Sequence, residues 1–193
     1  MAAQEERDLV VEAAGRLFVQ LGYDGTTLQM IGEVAGMGVQ EISRLVGDKR
    51  QIYLEVMNRY YGAEATHMRA VMERVSPDMP GLHTLLDRYL DYSVAHPEMR
   101  ALWVHRWLRD AADVQDVESL YRPLIAAVVD MFKDAVRADY DLELGLWNII
   151  WIVNGFIHVG IVDAEGDRRF ADHPPTLRRF RAYMHDMLER SAL

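Results

Sequence analysis

The sequence predicts an all-α fold: a three-helix head carrying a helix-turn-helix, then a larger helical bundle body, about nine helices in total. Two observations predict it. Apolar residues recur at three- and four-residue spacing along most of the chain. No stretch of several residues alternates strictly with β-branched bias, and no tight turn joins two such runs. Half of the 193 residues are hydrophobic, which is enough for a sizeable core.

The elements follow from start and stop signals. Leu9, Val10, Ala13, Leu17, Phe18 and Leu21 form one apolar stripe and predict a first helix over about 5–21. Gly22 ends it, and Tyr23-Asp24-Gly25 is a turn. Thr26 or Thr27 caps a second helix whose inner side is Met30, Ile31 and Val34. Gly36 and Gly38 mark the next turn, and a short third helix over 39–45 turns Ile42 and Val46 inward. Asp48 is the cap candidate for a long fourth helix, which ends near Val75 ahead of the breaker at 76–81. Further helices are expected at 82–95, 98–110, 116–138, 142–163 and 175–191, bounded or kinked at Pro97, Pro123 and Pro174-Pro175. The polar run at 163–175 reads as a loop. The natural division is a head over 1–47 and a ligand-binding and dimerisation body over 48–193.

Composition excludes several classes. With no cysteine, disulfides and thiolate metal sites are out. The acidic N-terminal segment has no apolar core of a secretory signal, so a cytoplasmic protein is expected. The apolar stretch at 146–162 falls short of the ~20 residues of a membrane span. Asn148, Asn154 and His158 interrupt it, so it reads as a buried helix and no membrane partner is expected. There is no nucleophile motif and no Gly-rich phosphate loop, so no enzyme and no cofactor are expected. Glu64-x-x-His67 has the spacing of half a carboxylate-bundle metal site, but no second such motif accompanies it. It reads as a surface pair, and no metal is expected. The formal charge of -9 does not favour nucleic acid. In residues 1–60 the basic groups Arg7, Arg16, Arg44, Lys49, Arg50 and Arg59 are outnumbered by acidic ones. Phosphate binding would therefore rest on a local arrangement of cations, not on the total.

The segment at 7–57 resembles the N-terminal domain of TetR-family transcription regulators. The matching residues are Ala13-Ala14, Leu17-Phe18, Gly22-Tyr23, Thr26-Thr27, Ile31, Ala35-Gly36 and Asp48-Lys49-Arg50. The resemblance covers about a quarter of the chain; the remainder is similar only in being helical and of suitable length. Members usually have a serine or similar cap where Gly38 stands, and a small residue or threonine in place of Glu41. They usually carry an aromatic where Ser43 stands, another near Val46, and a polar or aromatic residue where Leu45 stands.

The resemblance implies a homodimeric, ligand-responsive regulator, a repressor, that binds double-stranded palindromic operator DNA. Val39, Gln40, Glu41, Ser43 and Arg44 would face the major groove, where Gln40 suits adenine, Arg44 guanine and Glu41 cytosine. Thr26, Thr27, Lys49 and Tyr53 would sit near phosphates. The alternative is a protein of the same fold whose degenerate recognition helix reads DNA poorly, and which binds a ligand or a partner protein instead.

In the body, Trp103 and Trp107, and Trp147 and Trp151, are each four residues apart, so each pair shares a helix face. A small apolar or aromatic effector is expected in a pocket drawn from Tyr60, Tyr61, His67, Met68, Tyr89, Trp103, Trp107, Tyr121 and Asn154. Arg106 and Arg109 are candidates for holding an acid group. The face carrying Trp147, Trp151 and His158 reads either as core or as subunit interface. Gly155 and Gly160 permit close helix approach there. In the last helix Leu177, Phe180, Met184, Met187 and Leu188 form a stripe that a single chain has trouble burying. A two-fold homodimer interface over both helices is the expectation.

Overall fold

A computed structural model describes residues 2–115 and 117–192. Met1, Asp116 and Leu193, which bound some of the segments expected above, lie outside the described residues. The helices are α1 (Ala2–Leu21), α2 (Leu28–Ala35), α3 (Val39–Leu45), α4 (Lys49–Met72), α5 (Met79–Ala95), α6 (Pro97–Trp107), α7 (Arg122–Phe132), α8 (Leu142–Val159) and α9 (Pro174–Ala192). A 3-10 turn spans Glu118–Leu120, and a small hairpin pairs β1 (Ile161–Val162) with β2 (Arg168–Arg169). The described residues are therefore all-α but for that hairpin.

The chain divides into two compact units. The first holds residues 1–63 and 101–120, the second 64–100 and 121–193. The head expected over 1–47 thus forms part of a larger unit. The chain passes between the units within α4 and again within α6.

In the first unit Val10, Ala13, Ala14 and Phe18 of α1 are buried together with Ile31, Ile42, Ile52 and Val56. Leu9, Leu21 and Val34, expected on buried stripes, are about half exposed, because a helix of this unit has only one covered side. Thr27 caps α2 by accepting from the Met30 N–H at 3.2 Å. Gly36 closes α2 in the left-handed region (φ 70°), where a side chain is disfavoured. Asp48 and Gln51 cap α4 reciprocally. The Asp48 carboxylate accepts from Gln51 N–H at 2.8 Å, and Gln51 Oε1 accepts from Asp48 N–H at 2.9 Å.

The helix expected over 98–110 stops at Trp107, and that expected over 116–138 covers only Arg122–Phe132. Long-range bonds hold the connecting segment in another shape. Arg106 donates to the Ala111 carbonyl, to the Val114 carbonyl at 2.7 Å and to Glu118 at 2.7 and 3.0 Å. Its guanidinium is thereby spent within the unit, and its pKa is raised, chiefly by the Glu118 hydrogen bond. Pro123 sits in the first turn of α7, where its missing N–H costs nothing, so it starts a helix instead of kinking one.

In the second unit Asp78 and Asp141 cap α5 and α8, accepting from Gly81 N–H and Leu144 N–H. Arg181 of α9 reaches Asp87 at 3.0 Å and Asp91 at 2.5 Å on α5. Phe156 of α8 stacks on Phe180 of α9 with centroids 4.1 Å apart. Among the described residues α8 is the one helix long and apolar enough to cross a membrane. Leu146, Ile149, Ile150, Val153 and Phe156 on it are buried within this unit. The helix ends at Gly160 (φ 69°) instead of running to 163. A side chain at Gly160 would meet the Arg169 carbonyl at 2.5 Å, so the glycine admits the hairpin that replaces the expected loop start.

Asp110 ties the connecting segment to the end of α1, since its carboxylate accepts from the backbone N–H of Tyr23 at 2.6 Å and of Asp24 at 2.8 Å. Asp110→Ala should lower the unfolding free energy by about 1.5–3 kcal/mol, as expected for hydrogen bonds to a charged group. Denaturant unfolding should show a lower midpoint at unchanged slope.

Candidate nucleic-acid interface and effector cavity

α2, the Gly36 turn and α3 have helix-turn-helix geometry. The turn is fixed by Met37 N–H donating to the Gly32 carbonyl at 2.9 Å. Ile31 and Ile42 are fully buried and Val46 nearly so, which anchors α3 from beneath. Val39, Gln40, Ser43 and Arg44 are exposed on its other side, with Glu41 partly so. The structure therefore brings these five expected base-facing residues onto one outward surface. Arg44 and Glu41 lie 3.9 Å apart, one turn from each other. Such an exposed pair is worth ~0–1 kcal/mol and leaves both groups free to turn to another partner.

The expected phosphate contacts fare differently. Thr27 is exposed at the start of α2. Thr26 is fully buried and its hydroxyl donates to the Gly22 carbonyl at 2.7 Å, so it closes the turn after α1 and faces away from solvent. Tyr53 is buried against Phe18 (5.3 Å) and Tyr23 (4.9 Å). Its hydroxyl has no hydrogen-bond partner among the described residues, and burial pushes its pKa far up. A side chain so enclosed is a core residue, not a phosphate contact. Lys49 donates to the Tyr23 and Thr26 carbonyls, each at 3.0 Å, with its ammonium 4.1 Å from the Tyr23 ring centroid. This lysine caps the end of the α1–α2 turn.

The second unit contains an apolar cavity with about 50 Å³ of free volume, a few times the ~10–15 Å³ that one water requires. Of the expected lining residues, Met68, Tyr89 and Tyr121 border it. The rest of the wall is Glu64 and aliphatic side chains from α5, α7 and α8, among them Leu85, Ile125, Val128 and Leu146. Tyr60, Tyr61, Trp103 and Trp107 belong to the first unit and do not border it. His67 is exposed and stacks on Tyr92 at 4.8 Å. Asn154 is buried, but its amide donates to the Ile150 carbonyl at 2.7 Å, within its own helix.

Glu64 is the residue that sequence reasoning misplaced. It is 1 % exposed, not at the surface, and its Oε1 lies 2.6 Å from Nη2 of the equally buried Arg100. Arg100 also donates to the Tyr89 hydroxyl at 3.0 Å. Burial pushes the Glu64 carboxyl above its ordinary range, with Arg100 pulling it back. The Tyr89 phenol is pushed up to about 12, again by burial. The guanidinium keeps its charge in any protein setting, so the ionised carboxylate is the form that balances it. Glu64 Oε2 has no hydrogen-bond partner among the described residues.

The expected interface residues also divide. Trp151 and Gly155 are exposed on α8, with Leu144, Val159 and Tyr183 exposed nearby in sequence or on α9. Trp147, His158, Leu177, Phe180 and Met187 are partly exposed. Trp147 stacks against Trp151 at 6.3 Å and meets Tyr121 edge-on at 5.7 Å. Met184 and Leu188 are buried within this unit's own core, which leaves them no surface to offer a second chain.

The bonds made by Lys49 distinguish its two roles. Lys49→Met should lower the unfolding free energy by about 1–3 kcal/mol, because two carbonyls lose a charged donor. A lysine serving phosphate alone would leave thermal and denaturant stability unchanged.

No family model matches the chain. A curated protein from Bacillus subtilis (strain 168), the uncharacterized HTH-type transcriptional regulator YhgD, is 20% identical over 135 residues, covering 69% of this chain and 71% of its own. A solved structure assigned to the TetR family of transcription regulators, from Shewanella sp. PV-4, superposes with a TM-score of 0.73 at 17% identity, over 97% of this chain and 98% of its own. The fatty acid degradation regulator FadR from Bacillus halodurans superposes at 0.72 with 13% identity, over 95% and 94% of the two chains. The ketosteroid transcriptional regulator KstR2 of Mycobacterium tuberculosis superposes at 0.67 with 16% identity, over 93% of each chain. With its helix order and its helix-turn-helix, this chain has the fold of the TetR-family transcription regulators.

Proposed function

We propose that this chain is a cytoplasmic, homodimeric, ligand-responsive transcription regulator, a repressor. In this reading α3 enters the major groove of a palindromic operator, and a small apolar or aromatic effector in the cavity of the second unit releases it. The observation that carries the reading is the two-sided character of α3. Ile42 is buried beneath it, while Val39, Gln40, Ser43 and Arg44 are exposed together on the opposite side. Gln40 and Arg44 are the side-chain types that pair with adenine and guanine edges. Dimerisation is supported by the exposed apolar residues of α8 and α9, Trp151, Val159 and Tyr183, because a monomer gains nothing by showing them to water. The apolar cavity supports an apolar effector, and two similar structures are named for fatty acid degradation and for ketosteroids. α4 carries residues of both units in one helix, and a ligand that binds two positions of it unequally changes the spacing of paired reading helices. That spacing must match half-sites ~34–36 Å apart.

A second reading has its own support. Lys49 and Tyr53 are occupied inside the first unit, and Glu41 brings a negative charge to the reading side. A TetR-fold protein with a degenerate recognition helix, acting on a ligand or a partner protein, fits those three facts.

Selection from randomised duplex DNA at low and moderate salt separates the two. The regulator reading predicts an enriched palindromic site, bound by two chains, with Arg44→Ala costing roughly tenfold or more in affinity, because a base contact of ~1–3 kcal/mol is lost in each of the two half-sites. Absence of enrichment from folded protein, with and without compounds that occupy the cavity, would establish the second reading.

A further inference from the structure

α3 is short for a helix that must hold side chains against a pattern of base edges. It has seven residues, of which Ile42 alone is buried, and Gly38 before it gives no side-chain cap. A helix of that length does not hold itself in water, so its position is set by what grips it. Its last carbonyl, that of Leu45, is gripped from outside the helix-turn-helix. Nη1 of Arg7 on α1 donates to it at 2.6 Å. The same guanidinium is fixed by Glu55 on α4, with Nε donating to one carboxylate oxygen at 2.9 Å and Nη2 to the other. A side-on pair of this kind fixes the plane of the guanidinium. The remaining nitrogen is thereby aimed at the end of α3, where the cation also meets the negative end of the helix.

We propose that Arg7 is a positioning residue for DNA reading: bound to Glu55, it fixes the C-terminal turn of α3 against α1 and α4 and so sets where Ser43 and Arg44 stand. The inference rests on α3 being the reading helix and names a residue outside it on which the reading depends. Arg7 touches no base; it acts through the Leu45 carbonyl. Base readout is directional, so the side chains that perform it have to be held in place by their supports. The neighbouring ion pair supplies the contrast. Arg59 of α4 donates to Asp8 of α1, joining the same two helices, and among the described residues neither is bonded to α3. If docking of α1 on α4 were all that mattered, the two pairs would be equivalent.

Arg7→Met and Arg59→Met test this in the full-length protein. Each removes one cation from an ion pair between α1 and α4, so the two are matched in charge. Amide hydrogen exchange, resolved by NMR, reads α3 through the Val46 N–H, which donates to the Ile42 carbonyl at 2.9 Å. Arg7→Met should raise its exchange rate roughly tenfold, as expected for the loss of a hydrogen bond from a charged group, while Arg59→Met leaves it as in the parent. On the site enriched by selection, Arg7→Met should bind roughly tenfold more weakly than Arg59→Met. The two should bind a scrambled duplex equally, since phosphate contacts carry that binding. Arg7→Lys replaces Arg7→Met if that variant does not fold. It keeps the charge but loses the planar fork, and the same two shifts are expected at smaller size. Unchanged exchange at Val46 in the Arg7 variant overturns the inference. Equal acceleration in the Arg7 and Arg59 variants overturns it as well, leaving a general clamp between α1 and α4. Faster exchange with site affinity equal to that of Arg59→Met also overturns it. Each of these leaves the regulator reading in place; no enriched site from folded parent protein overturns that reading and this inference with it.

Discussion

A buried ion pair sets the terms for the second unit. Glu64 and Arg100 are 1 % and 0 % exposed and 2.6 Å apart. Removing two ions from water costs several kcal/mol each, and only close, well-bonded geometry recovers it. That geometry constrains much of what lies around it. The carboxylate comes from α4 and the guanidinium from α6, so both helices must hold their positions in this unit to within a hydrogen bond. Tyr89 of α5 must present its hydroxyl to the same guanidinium, at 3.0 Å. Three helices are thus fixed around one polar point. The space they leave open is bordered by Met68 on α4, by Tyr89 on α5 and by aliphatic side chains of α7 and α8.

The first unit is organised by the opposite means, local signals and a dense aromatic core. Phe18, Tyr23 and Tyr53 meet edge-on or tilted at 4.9–5.9 Å, and the Lys49 ammonium closes over Tyr23. This has a consequence for the proposed DNA contact. Phosphate contacts position a protein on DNA and supply most of its salt-dependent affinity, while base contacts specify sequence. Three of the side chains expected at phosphates, Thr26, Lys49 and Tyr53, are used to hold the head together instead. The outward residues of α3 keep the specifying chemistry, with Arg44 as their one cation.

The head was legible in the sequence because its signals are local. Gly22, Thr27, Gly36 and Asp48 each act within four residues, and the structure uses them as read; the part of Gln51 in the Asp48 cap emerges only from the structure. Ile42 and Val46 showed their inward side by spacing alone. What was not legible depends on partners far along the chain. Glu64 read as a surface acid because its neighbour at i+3 is His67; its true partner, Arg100, is invisible to spacing. Trp103 and Trp107 share a helix but not an environment, one buried and the other 38 % exposed. The segment after α6 has helical composition, yet Arg106 captures two of its carbonyls and unwinds it. Met184 and Leu188 belong to an apolar stripe, and periodicity cannot tell whether a stripe faces its own core or a second chain.

A double-mutant cycle on Glu64→Gln and Arg100→Met, read by denaturant unfolding, tests the role of the ion pair most directly. Each single variant leaves one polar or charged group buried without its partner and should lose about 3–5 kcal/mol. The double variant removes both charges and should lose well under the sum, giving a coupling of at least ~1 kcal/mol. Additive losses, or single variants as stable as the parent, would contradict the account, because the two groups would then not be holding one another in place.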